Sequence, residues 1–162
     1  MEFKKVIDKN NISEMSVLAT KIVREHYDPI LGKAQNDYML KKFQSAEAIK
    51  GQIQDGYIYY FVRENDDNIG FIAFFPRGEA MYISKLYLLK EQRGKGYSHK
   101  ILDFVAEKAR DLGLCAIELN VNRLNSSVDI YKKLGFKIIR QEKIDIGSGY
   151  YMDDYVCRLE LE

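Results

Sequence analysis

A strand–helix–strand segment in the second half of the chain constrains the fold most. Residues 80–89 form an apolar run that predicts a strand, and residues 116–121 predict another. Apolar residues at helical spacing predict a helix over 96–112 between them, with Gly113 as its C-terminal stop. Two strands joined by such a crossover lie parallel in one sheet, with a right-handed connection.

The rest of the chain predicts mainly antiparallel strands and shorter helices. The order indicates an α+β fold, an α/β sandwich, in which a mixed, mostly antiparallel sheet of about seven strands is flanked by helices. The first helix is capped by Asn11 or Ser13 and is expected to end near Glu25, because Asp28 to Gly32 breaks it. The further predicted strands are 3–7, 57–62, 69–75, 136–144 and 150–161, and the further predicted helical segments are 38–43, 45–54 and 126–134.

Composition excludes several classes of protein. The 162 residues carry a net charge of +1, so no global attraction to nucleic acid is expected. The chain has no apolar run of membrane-spanning length and no signal-like start. Cys115 and Cys157 are too few for a disulfide framework and are expected to be buried thiols. We therefore expect a single cytoplasmic domain over 1–162, without nucleic-acid or membrane partners.

A basic loop with two glycines joins the strand at 80–89 to the following helix. Residues 90–100 contain four Lys or Arg and one Glu, a net charge of +3. A helix N-terminus offers N–H donors and partial positive charge, so the loop suits a phosphate or pyrophosphate. It lacks the pattern of a Walker loop and the third glycine of a dinucleotide fingerprint. An ordinary glycine turn with a solvated basic face is the alternative.

Two motifs resemble those of the GNAT superfamily of acyl-CoA-dependent N-acyltransferases. Residues 91–96 are similar to its motif A, Gln/Arg-x-x-Gly-x-Gly/Ala, except that Glu91 occupies the first position. Residues 125–136 resemble motif B, and residues 131–136 complete its Tyr-x-Lys-x-Gly-Phe half. Asn125 stands 131 − 125 = 6 residues before the tyrosine, one fewer than is usual in the family.

The resemblance implies that the parallel strands splay apart and that the pantetheine arm of acetyl-CoA lies in the gap. It implies that backbone groups at the end of the first strand bind this arm and that amides of the loop bind the pyrophosphate. Acetyl-CoA is the acyl donor so implied, and no cluster with metal-ligand spacing is present in the sequence. The implied donor-binding residues are Leu86, Tyr87, Leu88, Arg93, Gly94, Lys95, Gly96, Tyr97, Ser98, Asn125 and Lys133.

Acetyl transfer to an amine needs an acid for the leaving thiolate and a base for the amine. Tyr131 resembles the family's general acid, since a phenol with a pKa of about 10 can protonate a thiolate whose thiol has a pKa of about 8.5. A purely structural helix tyrosine is the alternative. A backbone N–H around Leu88 would contact the carbonyl oxygen. Glu118, Asp153 and Asp154 remain open as the base.

Acidic residues near the C-terminus favour a cationic acceptor. Residues 145–162 carry five acids and one arginine, a net charge of −4. Asp153 and Asp154 are therefore predicted to bind the acceptor, as is Tyr27 at the junction of the first two helices. The chain up to Phe43 is loosely similar to the helical arm of bacterial polyamine acetyltransferases. Solvated loop charges are the alternative explanation.

These observations predict an enzyme that moves an acetyl group from acetyl-CoA directly to an amine of a small molecule or a peptide. No activated nucleophile stands beside a base in the sequence, so no acyl-enzyme is expected. The alternative is a non-catalytic acyl-CoA-binding or sensory module on the same fold. The final hairpin could also pair with a second copy of the chain to form a homodimer.

Overall fold

The computed structural model describes all 162 residues of the chain. The elements are β1 (Glu2–Lys5), α1 (Lys9–Leu31), α2 (Lys33–Phe43), α3 (Ala46–Gln54), β2 (Ile58–Glu64), β3 (Asp67–Arg77), β4 (Ala80–Leu88), α4 (Tyr97–Asp111), β5 (Ala116–Asn122), α5 (Ser127–Lys133), β6 (Lys137–Gly147) and β7 (Tyr150–Glu160). The strands form one sheet in the order β1-β2-β3-β4-β5-β7-β6. The predicted α+β class and the mixed sheet of seven strands with one parallel pair are confirmed.

The chain divides into two compact units. The N-terminal unit contains Met1–Phe75 and Lys85–Tyr97, and the C-terminal unit contains Pro76–Ser84 and Ser98–Glu162. Strand β4 and helix α4 therefore contribute residues to both units. The single domain over 1–162 stays a prediction.

In the N-terminal unit, β1 and β3 both pair antiparallel with β2. The turn between β2 and β3 contains Asn65 and Asp66 at φ of 51° and 68°, a left-handed conformation that Asn and Asp tolerate better than most residues. The predicted hairpin is therefore confirmed. Helices α1 to α3 supply the apolar side chains that pack with this hairpin, including Met15, Ile22 and Ile49 beside Phe61 and Phe71.

The start of α1 differs from the prediction. Asp8, not Asn11 or Ser13, is the N-cap, and its Oδ1 accepts a hydrogen bond from the Asn11 backbone N–H at 2.8 Å. Three residues with capping side chains lie within one stretch, and periodicity alone cannot choose between them. At the start of α3 the predicted cap is confirmed, because Ser45 Oγ accepts from the Ala48 backbone N–H at 3.1 Å.

The end of α1 also differs from the prediction, since the helix passes through Pro29 and ends at Leu31 rather than near Glu25. Proline removes one backbone donor from a helix but does not always end it. Here Ile30 and Leu31 pack against the buried core of the N-terminal unit, which offsets the lost hydrogen bond. Gly32, at φ 83°, ends the helix.

In the C-terminal unit, β4 and β5 are parallel, as predicted, and pair from Ala80 with Ala116 to Ile83 with Leu119. The splay between the two strands stays a prediction. Strand β7 pairs antiparallel with both β5 and β6. Helix α4 buries the predicted apolar residues, Ile101, Leu102, Val105 and Ala109.

The two cysteines differ in exposure. Cys157 is buried in β7 as predicted, but Cys115 is exposed, so that part of the prediction is wrong. Cys115 lies just before β5, where its backbone N–H donates to the Glu79 carbonyl at 2.9 Å. None of the five helices has both the length and the apolar character that crossing a bilayer requires.

Candidate active site

The basic loop over residues 90–100 begins with a single 3₁₀ turn at Lys90–Gln92 and ends in the first turn of α4, which starts at Tyr97. Gly94 and Gly96 have φ of 77° and 80°, a left-handed conformation that disfavours residues with a Cβ. A Cβ at either glycine would meet no atom within 4 Å, so the loop surface is open. Because the first N–H groups of a helix lack intrahelical acceptors, this loop fits a phosphate group.

The structure brings together two residues that were predicted for different substrates. Tyr27, from the acceptor prediction, lies on α1, and Tyr87, from the donor prediction, lies on β4. Their rings meet edge to face with centroids 6.2 Å apart, and Phe71 lies 5.4 Å from Tyr87. His26 packs edge-on against Tyr27 at 4.7 Å. An aromatic cluster in the N-terminal unit therefore lines the end of β4.

Gly70 of β3 supports the same end of β4 and is not among the site residues predicted from the sequence. A Cβ at Gly70 would lie 2.3 Å from the Tyr87 carbonyl oxygen and 2.8 Å from Leu88 Cδ2. The Leu89 N–H donates to the Ile69 carbonyl at 2.8 Å beside it. A glycine inside an apolar strand is the signal that indicates such close backbone approach.

The other predicted motif residues lie on helix α5 or just before it. Tyr131 is half-buried, and its ring contacts Phe136 edge-on with centroids 5.6 Å apart. Asn125 is buried, and its Oδ1 accepts from the Ser127 backbone N–H at 2.8 Å, which supports the start of the helix. Lys133 is exposed in the last turn. The contact of Asn125 with the donor stays a prediction.

Asp154 is a buried carboxylic acid in β7, with 2% of its surface exposed. Asn120 Nδ2 donates to its Oδ2 at 3.3 Å. Desolvation raises the pKa of Asp154 to about 6, and the negative charges of Asp153 and Glu142 act in the same direction. The side chain therefore combines the features of a base that works near neutral pH.

The other two candidates for the base are held in ion pairs. Asp153 accepts hydrogen bonds from Gln141 Nε2 at 3.0 Å and from Arg123 Nε at 2.9 Å. Both hydrogen bonds lower the pKa of Asp153, and the one from Gln141 has the larger effect. Glu118 accepts from Arg158 Nη1 at 2.6 Å. Asp153 and Glu118 are thus each engaged by a guanidinium group, whereas Asp154 accepts from the neutral amide of Asn120, so Asp154 is the stronger candidate.

Tyr131, the predicted acid, and Asp154, a candidate base, both lie in the C-terminal unit, and their roles stay predictions. The phenol of Tyr131 can donate a proton, and the carboxylate of Asp154 can accept one. Among the 162 residues, no group of three or more His, Cys, Asp or Glu side chains is arranged to hold a metal ion.

Comparison with known sequences identifies relatives over part of the chain. The family model for the acetyltransferase (GNAT) domain matches residues 27–151. Thialysine N-epsilon-acetyltransferase from Bos taurus is 38% identical over 60 residues, which are 36% of this chain and 35% of that protein. The Sus scrofa protein of the same name is 34% identical over 88 residues, 53% of this chain and 46% of that protein. The chain thus aligns with less than half the length of these curated relatives.

Comparison with solved structures extends over nearly the whole chain. The PaiA N-acetyltransferase from Thermoplasma acidophilum, in complex with coenzyme A, superposes with a TM-score of 0.77 at 18% identity, covering 99% of this chain and 100% of that one. This likeness shows a shared fold. The family match includes both the glycine loop and α5. The chain therefore belongs to the GNAT acetyltransferase family.

Proposed function

We propose that this protein transfers an acetyl group from acetyl-CoA to an amine. The observation that carries the proposal is the open glycine loop at the N-terminus of α4, inside the segment that matches the GNAT domain. Such a loop suits the pyrophosphate of an acyl-CoA donor. The PaiA protein, which shares the fold, was solved in complex with coenzyme A, which supports the proposal.

The donor would bind along one continuous stretch of backbone. The amides of residues 93–98 would bind the pyrophosphate, and backbone groups of residues 86–88 would bind the pantetheine arm. Asn125, just before α5, and Lys133, in its last turn, are the further donor contacts in this proposal. The net charge of +3 over residues 90–100 attracts the phosphates.

Replacing Gly94 by alanine should weaken coenzyme A binding about tenfold, because a left-handed backbone costs a residue with a Cβ about 1–2 kcal/mol. Relief of that strain would move the amides away from the pyrophosphate. Isothermal titration calorimetry with coenzyme A measures the change in Kd. The matched control is Gly113→Ala. Gly113 has a similar φ of 73° and equally open surroundings, but it lies beyond the C-terminal end of α4. Equal effects of the two variants would contradict the assignment of the loop.

The chemistry would be direct transfer with two proton movements. The amine nitrogen attacks the thioester carbonyl carbon, the carbon–sulfur bond breaks, and Tyr131 donates its phenolic proton to the thiolate sulfur. Asp154 accepts the proton that the amine loses. A carboxylate with a pKa near 6 is ionised at neutral pH and is more basic than an exposed aspartate.

The acceptor would be a primary aliphatic amine, free or on a small molecule with an amino-acid portion. The names of the curated relatives, thialysine N-epsilon-acetyltransferases, point to this class. The net charge of −4 over residues 145–162 also favours a cationic acceptor. Tyr27 and the Asp153–Asp154 pair are the residues proposed to bind it.

Release of free thiol from acetyl-CoA, followed with a thiol reagent, tests the proposal. The panel contains lysine, thialysine, polyamines, aminoglycosides and basic peptides, and each reaction is compared with one that lacks the amine. We expect release that requires an amine, with lysine-like amines and polyamines as the best acceptors and an acetylated product detected by mass spectrometry. If no amine accelerates release while coenzyme A still raises Tm, the alternative of a non-catalytic acyl-CoA-binding module replaces the proposal.

A further inference from the structure

Lys85 is a lysine of β4 that lies buried in the N-terminal unit, with 5% of its surface exposed. Its Nζ donates to Gln44 Oε1 at 2.9 Å and to Gln52 Oε1 at 3.0 Å. The Phe43 carbonyl oxygen and the Tyr59 hydroxyl are its other two partners. Four oxygen atoms therefore surround one buried amino group.

These partners connect β4 to three other elements. Phe43 and Gln44 lie at the end of α2, Gln52 lies on α3, and Tyr59 lies on β2. The partners also bind one another, since Gln52 Nε2 donates to the Phe43 carbonyl at 3.0 Å and the Tyr59 hydroxyl donates to Gln52 Oε1. Ser16 of α1 donates to the Gln44 carbonyl at 2.8 Å. The lysine thus joins the corner between α2 and α3 to the sheet.

No carboxylate pairs with this lysine, so the amino group relies on neutral oxygen atoms. Burial lowers the pKa of Lys85 to about 7. The titratable group that contacts it is Tyr59 from β2, whose own pKa is raised by burial and, to a lesser degree, by Tyr57. From α2 and α3 the contacts come from a backbone carbonyl and two glutamine side chains, none of which titrates.

A second buried polar group connects α2 to the part of α1 that carries Tyr27. Asn36 of α2 is fully buried, and its Nδ2 donates to Asp28 Oδ1 at 2.7 Å and to the Val23 carbonyl at 3.3 Å. These two acceptors flank Tyr27 on α1. A shift of α2 would therefore move the aromatic residue that meets Tyr87.

We propose that Lys85 is a positioning residue, which fixes the α2–α3 corner against β4 and thereby holds Tyr27 in place for the acceptor amine. The role of Tyr27 towards the acceptor amine rests on the proposed function, whereas the role of Lys85 in fixing the α2–α3 corner does not. The lysine touches neither substrate in this proposal and acts only through α2.

The proposal includes a defined dependence on pH. Lys85 has a lower pKa when the corner is closed than when it is open and the lysine is solvated, so proton uptake favours opening. As pH rises from 7 towards the ordinary lysine pKa of about 10.4, opening should become about tenfold rarer per pH unit. Below pH 7 both states bind the proton, and the dependence should disappear.

Amide hydrogen exchange of residues 40–54 between pH 6 and pH 9 tests the corner directly, with the amides of α4 as reference. The variants are Lys85→Met, which removes the donors, and Lys50→Met, which makes the same change at an exposed lysine of α3. Tyr59→Phe removes one partner and serves if Lys85→Met does not fold. The KM for the acceptor amine and the Kd for coenzyme A are measured in parallel.

We expect Lys85→Met to raise exchange over residues 40–54 by about tenfold relative to α4 and to abolish its pH dependence. The KM for the amine should rise while kcat and the Kd for coenzyme A stay unchanged, and Lys50→Met should behave as wild type. The proposal would be overturned if residues 40–54 exchanged as in the wild type in both Lys85→Met and Tyr59→Phe. It would also be overturned if Lys85→Met reduced the protection of α4 as much as that of residues 40–54 and left the KM for the amine unchanged. If no amine is acetylated, the proposed function fails, but the exchange data still decide whether Lys85 fixes the corner.

Discussion

Replacing Tyr131 by phenylalanine should lower kcat at neutral pH by about 10²–10⁴-fold, the usual contribution of a general acid. The substitution removes only the hydroxyl group, so the edge-to-face contact of the ring with Phe136 at 5.6 Å remains. Without the phenol, the thiolate must take its proton from water, and breaking the carbon–sulfur bond becomes slower. The Kd for coenzyme A and the melting temperature should stay close to those of the wild type.

Steady-state kinetics with the best acceptor from the amine panel measure this effect, and calorimetry measures coenzyme A binding. Tyr60→Phe is a matched control, because Tyr60 of β2 is another half-buried tyrosine, lies outside both motifs and stacks on Phe74 of β3. We expect this control to retain wild-type kcat. An unchanged kcat in Tyr131→Phe would exclude the general-acid role. A weaker Kd with unchanged kcat would instead make Tyr131 a donor-binding residue.

The fold could be predicted well wherever local pattern and tertiary structure agree. The helix over α4 and the turn at Asn65 and Asp66 are examples, since periodicity and turn residues indicate the same elements that packing selects. The end of α1 could not be predicted in this way. Proline is a local signal for a break, and only the tertiary contacts of Ile30 and Leu31 explain why the helix continues.

The candidate site could be predicted in part, because local sequence motifs indicate the donor-binding residues but not which carboxylate is the base. The glycine loop and α5 are local motifs that can be read from consecutive residues. The choice among Glu118, Asp153 and Asp154 depends on partners in other strands, such as Arg158, which stands opposite Glu118 in the β5–β7 register. Such partners are known only once strand pairing is known.

Lys85 shows a further limit of sequence reasoning. A lysine in a strand is ordinarily expected at the surface, since charged residues are rarely buried without a partner. The oxygen atoms that surround it come from residues 43, 44, 52 and 59, which no local pattern connects to β4. Tertiary structure therefore decides both its burial and the direction of its pKa shift.

Replacing Gly70 by alanine should reduce the free energy of unfolding by about 3 kcal/mol, at the upper end of the usual cost of overpacking. The new Cβ would lie 2.3 Å from the Tyr87 carbonyl oxygen and 3.2 Å from Leu88 Cα, and both of these are backbone atoms that cannot rotate away. The end of β4 must therefore move. Since backbone groups of Tyr87 and Leu88 are proposed to bind the pantetheine arm, coenzyme A binding should weaken as well.

Thermal unfolding measures the first effect, and for a protein of this size Tm should fall by about 6–12 °C. The matched control is Gly51→Ala in α3, where a Cβ meets nothing within 4 Å. There the same substitution should stabilise the protein by about 1 kcal/mol, because alanine is the better helix former. If both variants gain stability, β4 does not approach Gly70 as closely as the structure indicates. If Gly70→Ala loses stability but binds coenzyme A normally, the end of β4 does not carry the pantetheine arm.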